Sequence, residues 1–116
     1  MNTSTQIGRK AEAAAAVYLE MRGYQIIERN FRRPRCEIDI VAQKDGVAFL
    51  VEVKYRSTSD HGGGLEAITA SKLRQMHFAA EVWVQETKWS GPYQLAAVEL
   101  EGPDFSVLQF ADDLWG

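Results

Sequence analysis

The chain has 116 residues, enough for one hydrophobic core and too few for two. Its 46% hydrophobic and 25% charged residues exclude a disordered or fibrous chain, and a formal net charge of −3 argues against coating nucleic acid by bulk electrostatics. The longest apolar stretch, seven residues from Ala13 to Leu19, falls well short of the roughly 20 needed to cross a bilayer.

In chain order, Thr3, Ser4 and Thr5 offer N-cap candidates for a helix running to about Met21. Ile7, Ala11, Ala14, Ala15, Tyr18 and Leu19 give it a buried stripe, and its alanines suit close packing on a sheet. Gly23 ends it. Tyr24 to Arg29 reads as a short strand followed by an arginine-rich loop. Cys36 to Ala42 is a second strand, Asp45-Gly46 a hairpin turn, and Val47 to Lys54 a third strand rich in β-branched and aromatic residues. Ser57 to Gly64 is a polar loop ending in three glycines. A second helix runs from about Thr69 to Thr87, with Leu73, Met76, His77, Ala80 and Val84 at helical spacing. Strands Tyr93–Leu100 and Phe105–Phe110 close the chain around the turn Glu101-Gly102-Pro103-Asp104. The expectation is a single mixed α/β domain.

No basic start followed by an apolar run marks a secretory leader. One cysteine, Cys36, builds no internal disulfide, and two histidines build no His/Cys zinc site. These features point to a cytoplasmic protein with no membrane partner.

Charge is unevenly spread. Residues 1–60 hold ten Lys/Arg against eight Asp/Glu, and residues 61–116 hold three against eight. Arg29, Arg32, Arg33 and Arg35 fall within seven consecutive positions around Phe31 and Pro34. Arginine forks suit phosphate oxygens, and a cluster focuses a local field in an acidic protein. A solvated surface loop accounts for the same run.

The residues with chemistry lie on the second and third strands. Strand positions two apart share a face, so Glu52 and Lys54 project together while Val51 and Val53 serve the other side. Asp39 interrupts the apolar run Ile38-Asp39-Ile40-Val41. A hairpin at Asp45-Gly46 sets the two strands about 4.8 Å apart, which lets Asp39 approach Glu52. Two carboxylates so placed favour a hard divalent cation such as Mg²⁺ or Mn²⁺. Phosphodiester hydrolysis fits this group, with Lys54 orienting a water or stabilising charge on phosphorus, and Glu12 adding a carboxylate if the first helix packs over the sheet. A plain salt bridge from Asp39 or Glu52 to Lys54 is the competing account.

Glu37-Ile38-Asp39, the thirteen-position spacing from Asp39 to Glu52, and Glu52-Val53-Lys54 resemble the D…(D/E)XK signature of the PD-(D/E)XK nuclease superfamily. The chain resembles more closely the YraN family of small bacterial proteins, related in fold to archaeal Holliday-junction resolvases. The supporting residues run through Gly8, Glu12, Tyr18-Leu19, Gly23-Tyr24, Arg29-Asn30-Phe31-Arg32, Glu37-Ile38-Asp39-Ile40, Val51-Glu52-Val53-Lys54, Arg56, Gly62 and Lys72. The resemblance implies an α-β-β-β-α-β restriction-endonuclease-like core and a DNA endonuclease, acting on branched or damaged DNA by analogy with resolvases. It implies Asp39 and Glu52 as ligands of Mg²⁺ or Mn²⁺, Lys54 as the water-orienting or electrostatic group, and Glu12 as the helix glutamate beside the metal. Arg29, Arg32, Arg33, Arg35, Arg56 and Lys72 are the candidate nucleic-acid contacts, with DNA favoured over RNA. Resolvases act as dimers, and three tryptophans leave room for an interface, so a homodimer stays open.

Three positions depart from the family pattern. Cys36 stands where the family usually has glycine, Ala11 replaces a glycine before the helix glutamate, and Gln94-Leu95-Ala96-Ala97 replaces a common Arg-Phe-Asp-Val. The last departure supports an alternative: a nucleic-acid-binding or complex-forming protein with a vestigial metal site. A third alternative is a structural module in which Asp39, Glu52 and Lys54 form only a salt-bridge network. Gly62-Gly63-Gly64-Leu65-Glu66-Ala67 fits a dinucleotide-type glycine pattern, but it follows no strand directly and the domain is too short for that scaffold. Cys36 lacks a convincing base, and core packing or a subunit interface is the expected fate of Trp83, Trp89 and Trp115.

Overall fold

Two hydrophobic clusters, one on each face of a single sheet, organise the chain. The structure is a computed structural model that describes residues 4–57 and 68–114. Thr3, most of the polar loop that begins at Ser57, including the glycines at 62–64, and Trp115 lie outside the described residues. The described elements are α1 (Ser4–Met21), β1 (Gln25–Arg33), β2 (Cys36–Lys44), β3 (Val47–Arg56), α2 (Ala70–Thr87), β4 (Tyr93–Glu101) and β5 (Ser106–Ala111). The α-β-β-β-α-β order of the expected core is present, with β5 added at one edge. No described helix is long and apolar enough to cross a membrane.

The strands lie in the order β1-β2-β3-β4-β5. β1, β2 and β3 form an antiparallel meander, β4 runs parallel to β3, and β5 returns antiparallel to β4. The parallel step requires a crossover, which α2 supplies. Asp45 and Gly46, both at positive φ (53° and 79°), make the tight β2–β3 turn that their sequence predicts.

On one face, Ala11, Ala15, Ala16 and Leu19 of α1 pack on Ile40, Ala42, Val51, Ala96, Val98 and Leu100. Ala15 is fully buried, so the helix backbone sits close to the sheet. On the other face, Met76, Ala79, Ala80 and Trp83 of α2 cover Phe31, Cys36, Ile38, Val41, Ala48, Leu50 and Leu95. α2 opens with Thr69, whose hydroxyl accepts from the Lys72 backbone N–H, and closes at Lys88 in the left-handed region.

The arginine loop is a correction. β1 continues through Phe31 to Arg33 because Phe31 is a core residue, only 2% exposed, and the segment pairs with β2 out to Arg33↔Cys36. Asn30 at φ 57° breaks the alternation of the strand. Arg29 on one side of it reaches towards α1, whereas Phe31 on the other packs under α2. Phe105 also differs, taking φ 52° in the turn before β5. Cys36 is buried with its Sγ 3.9 Å from the Ala79 carbonyl, which fits a structural thiol.

Close approach of α1 makes a direct prediction. Ala15→Leu overpacks the α1 interface and lowers stability by about 1–3 kcal/mol. Urea unfolding of the two proteins checks it, and equal midpoints would show that the helix has room to spare.

Candidate metal centre

The sheet divides in the shape of a Y. Pairing of β2 with β3 runs from Lys44↔Val47 to Ile40↔Val51 and stops. Beyond that point β2 remains paired with β1 out to Cys36, while β3 remains paired with β4 out to Arg56. Asp39 and Glu52 are the first residues past the fork.

Asp39 takes over where the ladder ends. Its Oδ2 accepts a 2.8 Å hydrogen bond from the Val53 backbone N–H, which no longer has a strand partner on that side. Alternation fails here, since Ile38 packs in the α2-side cluster and Ile40 in the α1-side cluster. Asp39 therefore sits in the fork itself, bridging two strands through its side chain. Glu52 follows the parity of Ala48 and Leu50 and projects on the α2 face. There its Oε2 meets Lys72 Nζ at 3.1 Å. Glu12 approaches from α1, its Oε1 buried without a hydrogen bond and 3.9 Å from Arg29.

These carboxylates feel one another. Burial, then the Glu52 charge, raises the Asp39 pKa to about 7, with Glu12 and Glu37 pushing the same way and only the Val53 N–H opposing them. Such like-charge crowding is relieved by a cation. Among the described residues no three His, Cys, Asp or Glu side chains converge to hold a metal by themselves. Asp39 and Glu52 are oxygen donors, and a cation held by such a pair would be a hard one that completes its shell with water. The buried, unbonded Glu12 oxygen is consistent with a further contact from the α1 side.

Lys54 shares the Glu52 face by strand parity. The competing account, a salt bridge from Asp39 or Glu52 to Lys54, is not what the structure shows: Glu52 pairs with Lys72, and Lys54 makes no ion pair among the described residues.

The arginine cluster separates into three parts. Arg29 pairs with Glu12. Arg33 forks onto Glu86 of α2, with Nε at 2.9 Å and Nη2 at 2.7 Å from its oxygens, and lies over the Phe31 ring. That hydrogen bonding holds the Arg33 pKa above its ordinary value. Arg32 and Arg35 are exposed, and with Lys72 they border an open depression of about 340 Å³. A smaller depression lined by Leu50 and Glu52 adjoins it through shared walls at Glu37 and Met76. Arg56 lies elsewhere, with its Nε 3.2 Å from Glu99 and 3.7 Å from Glu101.

The model of "Uncharacterised protein family UPF0102" covers residues 11–107. The chain belongs to that family. This is the YraN family whose motifs the sequence resembles. It is 37% identical over 91 residues to a UPF0102 protein of Chloroherpeton thalassium, covering 78% of this chain and 70% of the relative. It is 38% identical over 92 residues to one of Paenarthrobacter aurescens, covering 79% and 76%. A UPF0102 protein of Shewanella frigidimarina is 33% identical over 102 residues, with 88% and 94% covered. The UPF0102 match spans Glu12, Asp39, Glu52, Lys54 and Lys72.

Sequence reasoning missed Glu99, and it gave no role to Glu37 of the Glu37-Ile38-Asp39 string, whose charge adds to the raised Asp39 pKa. Glu99 is 5% exposed in the apolar strand Leu95-Ala96-Ala97-Val98-Glu99-Leu100, and that lone charge was the available signal. It is in register with Lys54 and pairs with Arg56.

Asp39 yields a signed pH prediction for the metal-free protein. Its folded pKa of about 7 exceeds the unfolded value near 3.9. The native state thus binds more protons than the unfolded chain between those values, and this residue's contribution to stability falls as pH rises across that window. Asp39→Asn keeps an acceptor for Val53, removes the charge, and is expected to melt higher than the native protein above pH 7, with a flatter profile between about pH 4 and 7. Parallel melting profiles for the two proteins would refute the crowded-carboxylate account.

Proposed function

We propose that this protein is a divalent-metal-dependent endonuclease that hydrolyses phosphodiester bonds in DNA. The observation that carries the proposal is the fork: a half-buried carboxylate bridges two diverging strands beside Glu52, whose own depression adjoins one bordered by Arg32, Arg35 and Lys72. An acidic centre beside a basic rim suits a phosphate chain brought to a cation.

Asp39 and Glu52 are the residues that would hold Mg²⁺ or Mn²⁺. The chemistry such a cation supplies when bound is neutralisation of phosphate charge and acidification of a water. Asp39 is fixed for this role because the Val53 bond uses Oδ2 and leaves Oδ1 to a ligand. Lys54, two residues beyond Glu52 on the same face, presents a positive charge to the phosphate and a donor to the attacking water. Arg32 and Arg35, which make no ion pair among the described residues, hold the flanking backbone. Arg33 and Arg56 serve the scaffold, since carboxylates of this chain already engage them. The resemblance to resolvases favours branched or damaged DNA as substrate, a cytoplasmic setting, and a homodimer for paired cuts.

A second reading, a nucleic-acid-binding protein with a vestigial metal site, draws on β4. Ala97 is the residue in register with Glu52, so β4 presents no polar side chain there.

Linear, branched, flapped and single-stranded DNA incubated with Mn²⁺ or Mg²⁺ tests the proposal, with Asp39→Asn purified in parallel to expose contaminating nuclease. Cutting by the native protein and a loss of about two orders of magnitude or more in the variant are expected. Binding without cutting would favour the second reading. For affinity, Arg32→Ala weakens DNA binding across all substrates and flattens its salt dependence by about one unit of slope. Arg33→Ala instead lowers the melting temperature through loss of the Glu86 fork. The reverse pattern would make Arg33, which lines the same depression, the phosphate contact in place of Arg32.

A further inference from the structure

We infer that Lys72 is an exchangeable counter-cation: its ammonium holds Glu52 while no divalent cation is bound, and turns to a nucleic-acid phosphate in the adjoining depression when one is. The inference rests on the reading of Asp39 and Glu52 as a cation-binding pair.

Among the described residues, Lys72 is the one cation within ion-pair distance of Glu52, at 3.1 Å. Its backbone position is unfavourable for a cation. Lys72 falls in the first turn of α2, three residues past the Thr69 cap and at the positive end of the helix dipole, in a turn with no acidic residue. Glu52 offsets that repulsion in the metal-free protein. The same helix end favours an anion, and Arg32 and Arg35 border the depression that Lys72 also lines.

Lys72 stands at the boundary between two surroundings, the carboxylates of the fork and the basic rim. It is one-third exposed, on a flexible four-carbon stem, so a change of rotamer carries the charge from one to the other. An ammonium and a divalent cation at one carboxylate repel each other. Released from Glu52, the ammonium lies with two arginines, an arrangement that a phosphate stabilises. Cation and phosphate binding are therefore coupled, each strengthening the other.

The test is a Mn²⁺ titration of the DNA-free protein, followed by electron paramagnetic resonance, on the native chain, Lys72→Met, Lys72→Gln and Lys72→Arg. The two neutral variants should bind Mn²⁺ about two- to fivefold more tightly, the range of a partly exposed ion pair, whereas Lys72→Arg should bind as the native protein does. Either neutral variant suffices if the other folds poorly. The second readout is binding of a fluorescently labelled DNA duplex as a function of salt, with Ca²⁺ in place of the catalytic cation or with no divalent cation. Lys72→Met should reduce the salt slope by about one in Ca²⁺ and leave it unchanged without divalent cation. Unchanged or weaker Mn²⁺ binding in the neutral variants, or the same slope change in both conditions, would overturn the exchange while leaving the metal centre standing. Absence of Mn²⁺ binding by native and variant chains alike would overturn both.

Discussion

The hydrogen bond from the Val53 N–H to Asp39 decides how the sheet can open. A backbone donor left unpaired in a protein interior costs about 1–3 kcal/mol, so antiparallel strands do not part freely. Here β2 leaves β3 after Ile40↔Val51, and the Asp39 carboxylate replaces the carbonyl that the ladder would have supplied. One side chain thereby ends the pairing, caps the exposed strand and places a negative charge at the opening. The cost is visible in the same residue, whose pKa is raised to about 7 by its partial burial and then by the Glu52 charge.

The rest of the fold keeps that opening in place. Phe31, Cys36 and Ile38 hold the β1–β2 arm under α2, and the Arg33–Glu86 fork fastens the end of β1 to the same helix. Tyr55 and Val53 hold the β3 arm on the α1 side. The small side chains of α1 let it lie close to the sheet, where Glu12 faces Arg29 and adds to the charge that Asp39 feels, while α2 brings Lys72 to Glu52 on the opposite face.

Periodicity carried most of the fold. The alanine-rich stripe, the Asp45-Gly46 turn and the capping threonine of α2 each act through local geometry, and each element lies within a few residues of its expected place. The arginine run has the composition of a loop because polarity masks a strand segment whose single core residue is Phe31. Its reversal at Asn30 depends on the opposing strand, which no local pattern encodes. Among the candidate site residues, spacing and family resemblance pointed to Asp39, Glu52 and Lys54. Their surroundings were not legible: that Glu52 pairs with Lys72, that Arg33 faces Glu86, and that Arg56 faces Glu99 all follow from contacts between distant elements.

The departure at Gln94-Leu95-Ala96-Ala97 separates into two unequal parts once its register is known. Gln94 lies opposite Phe49, three strand positions and roughly 10 Å from the Glu52↔Ala97 level, so loss of an arginine there does not touch the fork. Ala96 is different. It is fully buried in the α1-side cluster beside Val51, on the face from which Glu12 approaches. An aspartate at that position would add a buried carboxylate near Asp39, whose pKa is already raised by burial and then by the neighbouring carboxylates. Alanine avoids that crowding. The departure changes how many acids would face the fork, and the strand bridge through Asp39 is untouched by it.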